Sequence, residues 1–289
     1  MAAIEIQASA ELGEGPVWDD ITEKLYWIDI VGKTVHRFDP LSGNQEHWTL
    51  DQMVGCIVPM DDDKLVCALQ DQLVMLNTLS GETQHLVPVE SALPDNRCND
   101  GKADAAGRLW VGTLHLPGEN GHASLYRIDN KLAVVKQQDR LNMSNGLGWS
   151  PDNSIMYLND TPNREVFQFD FSLTDGEISN RQLIFQFDES QGSPDGMCVD
   201  AEGMIWIAFY GGRSVRRFDP VSRKQLAEVS VAAENVTCCC FGGKNMDTLY
   251  ITTARQGMNE EQLKEFPGSG SVFSVKPGVQ GIRSNRFVM

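Results

Sequence analysis

The segment LYWID at residues 25–29 is the first of six copies of an apolar-aromatic-apolar strand pattern. The later copies are LVCAL (65–69), LWVGT (109–113), MYLND (156–160), IWIAF (205–209) and LYITT (249–253). Turns rich in Asp, Asn and Gly, which tolerate tight backbone geometry, precede nearly every copy. The pattern therefore predicts six strands that are each entered through a hairpin connection.

A second pattern lies downstream of each copy and ends in an apolar residue followed by Asp, Asn or Lys. Its end points are Asp39, Asn77, Asp129, Asp170, Asp219 and Lys276. They are 38, 52, 41, 49 and 57 residues apart, close to the roughly 40 to 50 residues of a propeller blade. Only residues 256–266 have a helical pattern, which Pro267 would end. The repeats predict an all-β fold, a six-bladed β-propeller that occupies residues 1–289 as a single domain.

Charge, hydropathy and cysteine content narrow the range of partners. The chain of 289 residues has a net charge of −16, which would repel a nucleic-acid backbone. No stretch reaches the roughly 20 consecutive apolar residues of a membrane helix, and the start lacks a secretion signal. The seven cysteines show no paired spacing typical of zinc sites, which predicts reduced thiols. We therefore expect a cytoplasmic protein without nucleic-acid or membrane partners, and we take a monomer as the default oligomeric state.

Four polar residues lie 11 or 12 positions before the aromatic residue of a strand motif: Glu14, Asn99, Asn145 and Asp195. Equivalent positions of a closed repeat array face a common axis, so we expect these side chains to converge at one mouth of the channel. The corresponding positions of the other two units are Gly55 and Cys238, which contribute space rather than ligands. The spacing predicts a one-sided metal site that leaves room for a substrate.

The ligand chemistry of these four residues favours a hard cation. Two carboxylates and two amide oxygens suit Ca²⁺, Mg²⁺ or Mn²⁺, with Ca²⁺ as the expected ion. Zn²⁺ and Fe²⁺ remain open because ligand softness only biases the selection. Each candidate lies in a Gly or Pro context that is also a common turn signal, and the matching register of all four is what favours a site.

Longer segments resemble the regucalcin (senescence marker protein-30) and gluconolactonase family. They are GEGPVW (13–18), RCNDGKADAAGRLWVGT (97–113), SNGLGWSPD (144–152), SPDGMCVDAEGMIWIA (193–208) and FGGKNMDTLYITTA (241–254). The resemblance implies a six-bladed propeller enzyme that binds one divalent cation and hydrolyses sugar lactones to aldonic acids. It also implies that Glu14, Asn145 and Asp195 are the metal ligands.

The same resemblance assigns the substrate contacts. Arg97 and Asn99 match positions that contact sugar hydroxyls, and the loop at 114–124 is where the family often has a further acidic contact, here Glu119. Lactone hydrolysis needs a polarised carbonyl, a nucleophilic water and a base, and a cation can serve the first two needs. Asp195 is the hypothesised base, and the fixed donors of Arg97 would orient the lactone. Gluconolactone, xylonolactone and arabinonolactone are the expected substrates.

Three other functions remain open from the sequence. The same cation and carboxylates could act on an arylester or an organophosphate. A regucalcin-like protein could instead bind calcium in a regulatory role, although a calcium buffer needs neither Arg97 nor Asn99 at an open coordination face and no EF-hand loop is present. A propeller that serves only as a protein-interaction platform would lack the metal ligands.

Overall fold

The computed structural model describes residues 1–289 as six four-stranded antiparallel sheets. Innermost strands of neighbouring sheets contact each other in sequence order, and the last contacts the first, so the sheets form a closed ring. The architecture is a six-bladed β-propeller, which confirms the predicted fold class. The first strand of the chain is β1 (Ala3–Ile6).

Blades 1 to 3 each consist of four consecutive strands. Their bounds are β2 (Gly13–Asp19), β3 (Lys24–Asp29), β4 (Thr34–Phe38), β5 (Gln45–Thr49), β6 (Val54–Asp61), β7 (Lys64–Leu69), β8 (Gln72–Asn77), β9 (Thr83–Pro88), β10 (Asn96–Ala103), β11 (Leu109–His115), β12 (Ala123–Ile128) and β13 (Val134–Leu141). Within each blade the lowest-numbered strand is the innermost, and pairing proceeds outward in chain order.

Blades 4 and 5 repeat this arrangement, and blade 6 supplies three further strands. Their bounds are β14 (Ser144–Trp149), β15 (Ile155–Asp160), β16 (Glu165–Ser172), β17 (Glu177–Gln186), β18 (Ser193–Val199), β19 (Ile205–Tyr210), β20 (Ser214–Asp219), β21 (Lys224–Ser230), β22 (Asn235–Gly242), β23 (Thr248–Ala254) and β24 (Val272–Val275). All six copies of the aromatic pattern form the second strand of a blade, and the six downstream patterns form the third.

Blade 6 is completed by the opposite end of the chain. Strand β1 pairs antiparallel with β24, with Ala3 opposite Ser274 and Ile4 opposite Phe273. The two ends of the chain are thereby joined in one sheet, so the ring cannot open without breaking these backbone hydrogen bonds. The repeat pattern did not predict β1, because this short strand carries no copy of either motif.

Buried aspartates in the turns between first and second strands anchor two tryptophans of the core. Asp200 is fully buried and accepts hydrogen bonds from Trp206 Nε1 at 2.9 Å and Arg217 Nε at 2.7 Å. Asp104 has the same relation to Trp110, whose Nε1 donates at 2.9 Å. The indole N–H groups of Trp110 and Trp206 are thus satisfied. In both blades 3 and 5 the aspartate precedes its tryptophan by six residues, so the turn is fixed directly to the core of the blade.

The carboxyl-terminal segment closes one end of the channel. Gly281 forms an isolated bridge with Asp200 of blade 5, Asn285 Nδ2 donates to the Ala103 carbonyl of blade 3, and Phe287 is buried. These partners lie at or beyond the final residues of the innermost strands. A cavity of about 160 Å³ remains between this segment and the middle of the channel. The starts of the innermost strands therefore form the open mouth.

One α-helix, α1 (Glu260–Glu265), lies within the segment predicted to be helical. Asn259 caps it by accepting hydrogen bonds from the backbone of Glu261 and Gln262, and the helix ends before Pro267. Two short 3₁₀ helices are Thr161–Asn163 and Glu189–Gln191. No helix in the structure has the length and apolar character needed to cross a membrane.

We expect Asp200→Ala to lower the free energy of unfolding by about 3–5 kcal/mol, because it leaves a buried indole N–H and two backbone N–H groups without their acceptor and removes one of the two carboxylates that pair with half-buried Arg217. The matched control is Asp219→Ala on the same blade, where an exposed turn carboxylate caps the backbone N–H of Val221. Urea unfolding of both variants measures the difference. Equal losses would contradict the anchoring role of Asp200.

Candidate metal and substrate site

The pairing of the innermost strand with the second strand is interrupted at the same level in every blade. Each interruption is a β-bulge or register shift near the open mouth, at Glu14/Val17, Val54/Cys56, Cys98/Gly101, Ser144/Leu147, Pro194/Met197 and Val236/Cys238. Bulges leave residues unpaired and redirect their side chains. Asn99, Asn145 and Asp195 are each the first residue of the interruption in their blade that has no partner on the second strand. Glu14 directly precedes the interruption in blade 1. The predicted register is therefore present.

Glycines follow the bulge residues because the innermost strands approach one another closely. A Cβ on Gly146 would overlap the backbone of Asp195 and Met197, and a Cβ on Gly196 would overlap Cys238. At Gly55 it would overlap the carbonyl of Cys98. Only glycine permits this packing. The two blades without a predicted ligand thus contribute Gly55 and the buried Cys238, as expected.

Glu14 and Asp195 form an unusually buried pair of carboxylates. Both residues are only 7% exposed to solvent. Burial raises the pKa of Glu14 well above its ordinary value, and the charges of Asp195 and Asp100 raise it further. The pKa of Asp195 is also raised well above its ordinary value, first by burial and then by Asp100, while Asn145 and Arg97 act in the opposite direction. Negative charge is concentrated at this level of the channel.

Arg97 is the one guanidinium among these carboxylates. Its Nη1 donates to the Cys98 carbonyl and to Asn99 Oδ1, both at 2.9 Å. Burial lowers its pKa to about 10, and the charges of Glu14 and Asp195 oppose this effect. Arg97 therefore remains charged at neutral pH and is held by the neighbouring amide. Asn99 in turn donates from Nδ2 to the Ser144 carbonyl at 3.0 Å, which links blades 3 and 4.

Asn145 is oriented by Thr161 of its own blade, which in turn contacts blade 5. Its Nδ2 donates to Thr161 Oγ1 at 3.1 Å, and that hydroxyl donates to the Pro194 carbonyl at 2.8 Å. No hydrogen bond engages Asn145 Oδ1, so this oxygen is available as a ligand atom. Asn159 Nδ2 donates to the Asp195 carbonyl at 2.6 Å and supports the bulge of blade 5 from below. The spacing argument did not find Thr161 or Asn159.

Asp100 is a third buried carboxylate of the site and was not among the predicted site residues. Burial raises its pKa, whereas Lys102 and the Gly101 N–H lower it. Its Oδ1 accepts from Gly101 N at 2.7 Å, while Oδ2 is buried without a partner. A sequence signal existed, because Asp100 directly precedes a glycine, as do Glu14, Asn145 and Asp195. Asn99, which lies in the same motif, was chosen as the site residue instead.

Lys102 lies deeper in the channel and balances part of this charge. Its Nζ donates to the carbonyls of Leu147, at 3.0 Å, and Met197. Burial lowers the pKa of Lys102, but Asp100 together with Cys238, Cys198 and Cys239 outweighs this effect and the net shift is upward. Its carbonyl contacts tie blades 3, 4 and 5 together. The ammonium therefore compensates the charge of Asp100 from deeper in the channel, and it does not compensate the charges of Glu14 and Asp195 at the open mouth.

The donor set fits a divalent cation. Three buried carboxylates meet only one guanidinium and one ammonium, and one carboxylate oxygen has no partner at all. Burying unpaired carboxylates is unfavourable unless a cation or hydrogen bonds compensate them. Carboxylate and amide oxygens are the ligands of hard cations. Glu14, Asn145 and Asp195 at the mouth are the residues that could hold such an ion.

Glu119 lies apart from this buried set, on the exposed connection between β11 and β12. Its backbone N–H contacts His115 Nδ1 at 3.2 Å, and its carboxylate lies 3.4 Å from His122 Nε2. The residue is at the open mouth, because His115 pairs with Asn96 beside Arg97. The structure therefore places Glu119 on the same side of the propeller as Arg97 but not among the buried residues.

Comparison with known proteins relates the whole fold to one family. Residues 12–255 match the model described as "SMP-30/Gluconolactonase/LRE-like region". The Bacillus subtilis (strain 168) protein named "Putative sugar lactone lactonase YvrE" is 37% identical over 275 residues, covering 95% of this chain and 94% of that protein. Regucalcin of Danio rerio is 36% identical over 280 residues, covering 96% and 95%.

A solved structure gives the same result. The calcium-binding protein regucalcin of Agrobacterium tumefaciens superposes with a TM-score of 0.95 at 27% identity, covering 100% of this chain and 98% of that one. The family model spans blades 1 to 5 and two of the four strands of blade 6, including every bulge described above. The chain belongs to the SMP-30/gluconolactonase/LRE-like family.

Proposed function

We propose that this protein is a metal-dependent lactonase that hydrolyses sugar lactones to aldonic acids, with residues 1–289 acting as one catalytic domain. The observation that carries the proposal is the set of buried carboxylates beside Arg97 at the open mouth of the channel. Membership of the family and the name of the Bacillus subtilis relative support it. The proposed substrates are aldonolactones such as gluconolactone, xylonolactone and arabinonolactone.

Glu14, Asn145 and Asp195 would hold one divalent cation, and the hard oxygen set favours Ca²⁺ over Mg²⁺, Mn²⁺, Zn²⁺ or Fe²⁺. When bound, such a cation supplies Lewis-acid polarisation of the lactone carbonyl and lowers the pKa of water. The Agrobacterium tumefaciens relative is described as a calcium-binding protein, which supports the choice of ion. The Thr161 contact leaves Asn145 Oδ1 available, which suits this role.

Substrate recognition is assigned to Arg97 and Asn99 on β10. The Arg97 guanidinium is held by its own strand and by Asn99 Oδ1, so its remaining donors are preorganised for sugar hydroxyl oxygens. The Asn99 amide positions Arg97 and offers a neutral partner beside it. Glu119, on the loop above the mouth, would accept a hydrogen bond from a distal hydroxyl.

Asp195 would act as the general base. It takes a proton from the attacking water as the water oxygen bonds to the lactone carbonyl carbon. It then returns that proton to the ring oxygen as the ring C–O bond breaks, which yields the open-chain acid. Its backbone is fixed by the Asn159 and Thr161 hydrogen bonds to the carbonyls of Asp195 and Pro194, so the carboxylate is positioned for both proton transfers.

Two alternatives use the same site. A regucalcin-like calcium-binding protein would need the carboxylates but not a buried guanidinium directed by Asn99. An arylester or organophosphate hydrolase would use the cation and base but need no array of donors for sugar hydroxyls. The preorganised Arg97 favours the sugar lactonase over both.

We expect chelation to abolish lactone hydrolysis above the spontaneous rate, and one of the ions Ca²⁺, Mg²⁺, Mn²⁺, Zn²⁺ or Fe²⁺ to restore it. The assay follows acid release from a panel of aldonolactones, with phenyl acetate and a phosphotriester as comparison substrates. Ion binding without turnover on any lactone would favour the calcium-binding alternative. Faster turnover of the ester or phosphotriester would favour the other hydrolase.

We expect Asp195→Asn to lower kcat by about 10²–10⁴-fold, because the variant loses the base. The matched control is Asp219→Asn, a turn carboxylate on the same blade. Thermal unfolding of the chelated proteins tests folding, and Asp195→Asn should be at least as stable as the parent because it removes one of three buried carboxylates. Parental kcat in Asp195→Asn would refute the assignment.

We expect Arg97→Ala to raise KM for a sugar lactone by about 10- to 100-fold, the loss of a charge-assisted hydrogen bond. A smaller change in kcat should accompany it. The matched control is Arg213→Ala, a partly exposed arginine paired with Glu234 on the rim. Steady-state kinetics on gluconolactone provides both constants. An unchanged KM would remove Arg97 from substrate recognition.

A further inference from the structure

The loop at residues 116–122 joins β11 to β12 at the open mouth of the propeller. It follows His115, which pairs with Asn96 next to Arg97. Two side-chain contacts hold the loop against neighbouring strands. Asn96 Nδ2 donates to the His122 carbonyl at 2.9 Å, and Gly121 N donates to Asn142 Oδ1 at 3.1 Å. The loop therefore has a defined course although it is exposed.

Three potential metal ligands gather at this loop. One ligand atom each of His115, Glu119 and His122 lies within 4.8 Å of the other two. The two imidazole rings stack with centroids 4.6 Å apart. They come from the end of β11 and the residue before β12, so the converging strands hold the two rings side by side.

The spacing between the ligand atoms of Glu119 and His122 suits an ion between them. His122 Nε2 lies 3.4 Å from Glu119 Oε2, longer than the roughly 2.7–2.9 Å of a charge-assisted hydrogen bond. Tetrahedral coordination with Zn–N and Zn–O bonds of about 2.0–2.1 Å separates two ligand atoms by about 3.3–3.4 Å. These atoms are therefore already at the distance that zinc requires, without a change in the backbone.

His115 can join them at small cost. Its Nδ1 accepts only the Glu119 backbone N–H, at 3.2 Å. On an exposed loop that N–H can bond to water instead, which frees the Nδ1 lone pair for a metal. The side chains of Glu119 and His122 are exposed and free to rotate toward His115, whose ligand atom lies within 4.8 Å of theirs.

We propose that His115, Glu119 and His122 bind Zn²⁺ as a second metal site, separate from the buried set at Glu14, Asn145 and Asp195. Two imidazoles and one carboxylate are a common zinc donor set, and water completes the fourth position. The buried set contains only oxygen donors and suits Ca²⁺. The two sites therefore select different ions. Zinc would join the beginning, middle and end of the loop and fix it above the mouth.

The test is a calorimetric titration of the Ca²⁺-saturated protein with Zn²⁺, in excess Ca²⁺. The parent should bind one Zn²⁺ at the loop, and His122→Gln should weaken that event by at least tenfold because one of three protein ligands is lost. His85→Gln is the matched control, since His85 is an exposed histidine on blade 2 that contacts Gln72. It should bind zinc as the parent does.

Two further measurements separate the loop from the buried site. Co²⁺ bound in place of Zn²⁺ should give the visible absorption of a tetrahedral site in the parent and in Glu14→Gln, but not in His122→Gln. Glu14→Gln removes a ligand of the buried set and should leave the zinc event unchanged. A zinc event that survives His122→Gln, or that disappears in Glu14→Gln, would overturn the proposal. Neither readout depends on lactone turnover.

Discussion

The bulge in the innermost strand of each blade is the constraint on which the site depends. A regular strand would turn alternate side chains toward the two faces of its own sheet. The interruption at one common level instead leaves residues unpaired, so that Asn99, Asn145 and Asp195 are redirected toward the axis. The glycines that follow allow the strands to approach one another so closely that these side chains meet.

This convergence concentrates charge that the protein alone does not neutralise. Glu14, Asp100 and Asp195 lie together in a buried environment that raises the pKa of each, and Arg97 and Lys102 offset only part of the effect. Such an arrangement is destabilising by itself and persists because the surrounding ring is over-determined. The pairing of β1 with β24 and the carboxyl-terminal segment across the far end supply that rigidity. A bound cation would relieve the remaining repulsion.

Different parts of the site were predictable to different degrees. Glu14, Asn99, Asn145 and Asp195 were predicted to lie at one level because each keeps a nearly fixed distance from a recurring strand motif. Asp100 was missed because two adjacent polar residues, Asn99 and Asp100, share one bulge, and spacing alone does not say which of them faces the axis. The exposed position of Glu119 was not predictable either, since the loop lies outside the repeat. Its histidine neighbours become close only through the pairing of β11 with β12.

The sequence by itself determined the number of blades, the identity of their second and third strands and the register of four polar positions. These properties are local, because strand alternation, turn residues and repeat length each depend only on residues within one unit of about 50 residues. Only the tertiary structure decided how the ring closes through β1, which mouth stays open and how charge is shared among Asp100, Arg97 and Lys102. These properties depend on contacts between residues far apart in the chain, whose geometry no local pattern contains.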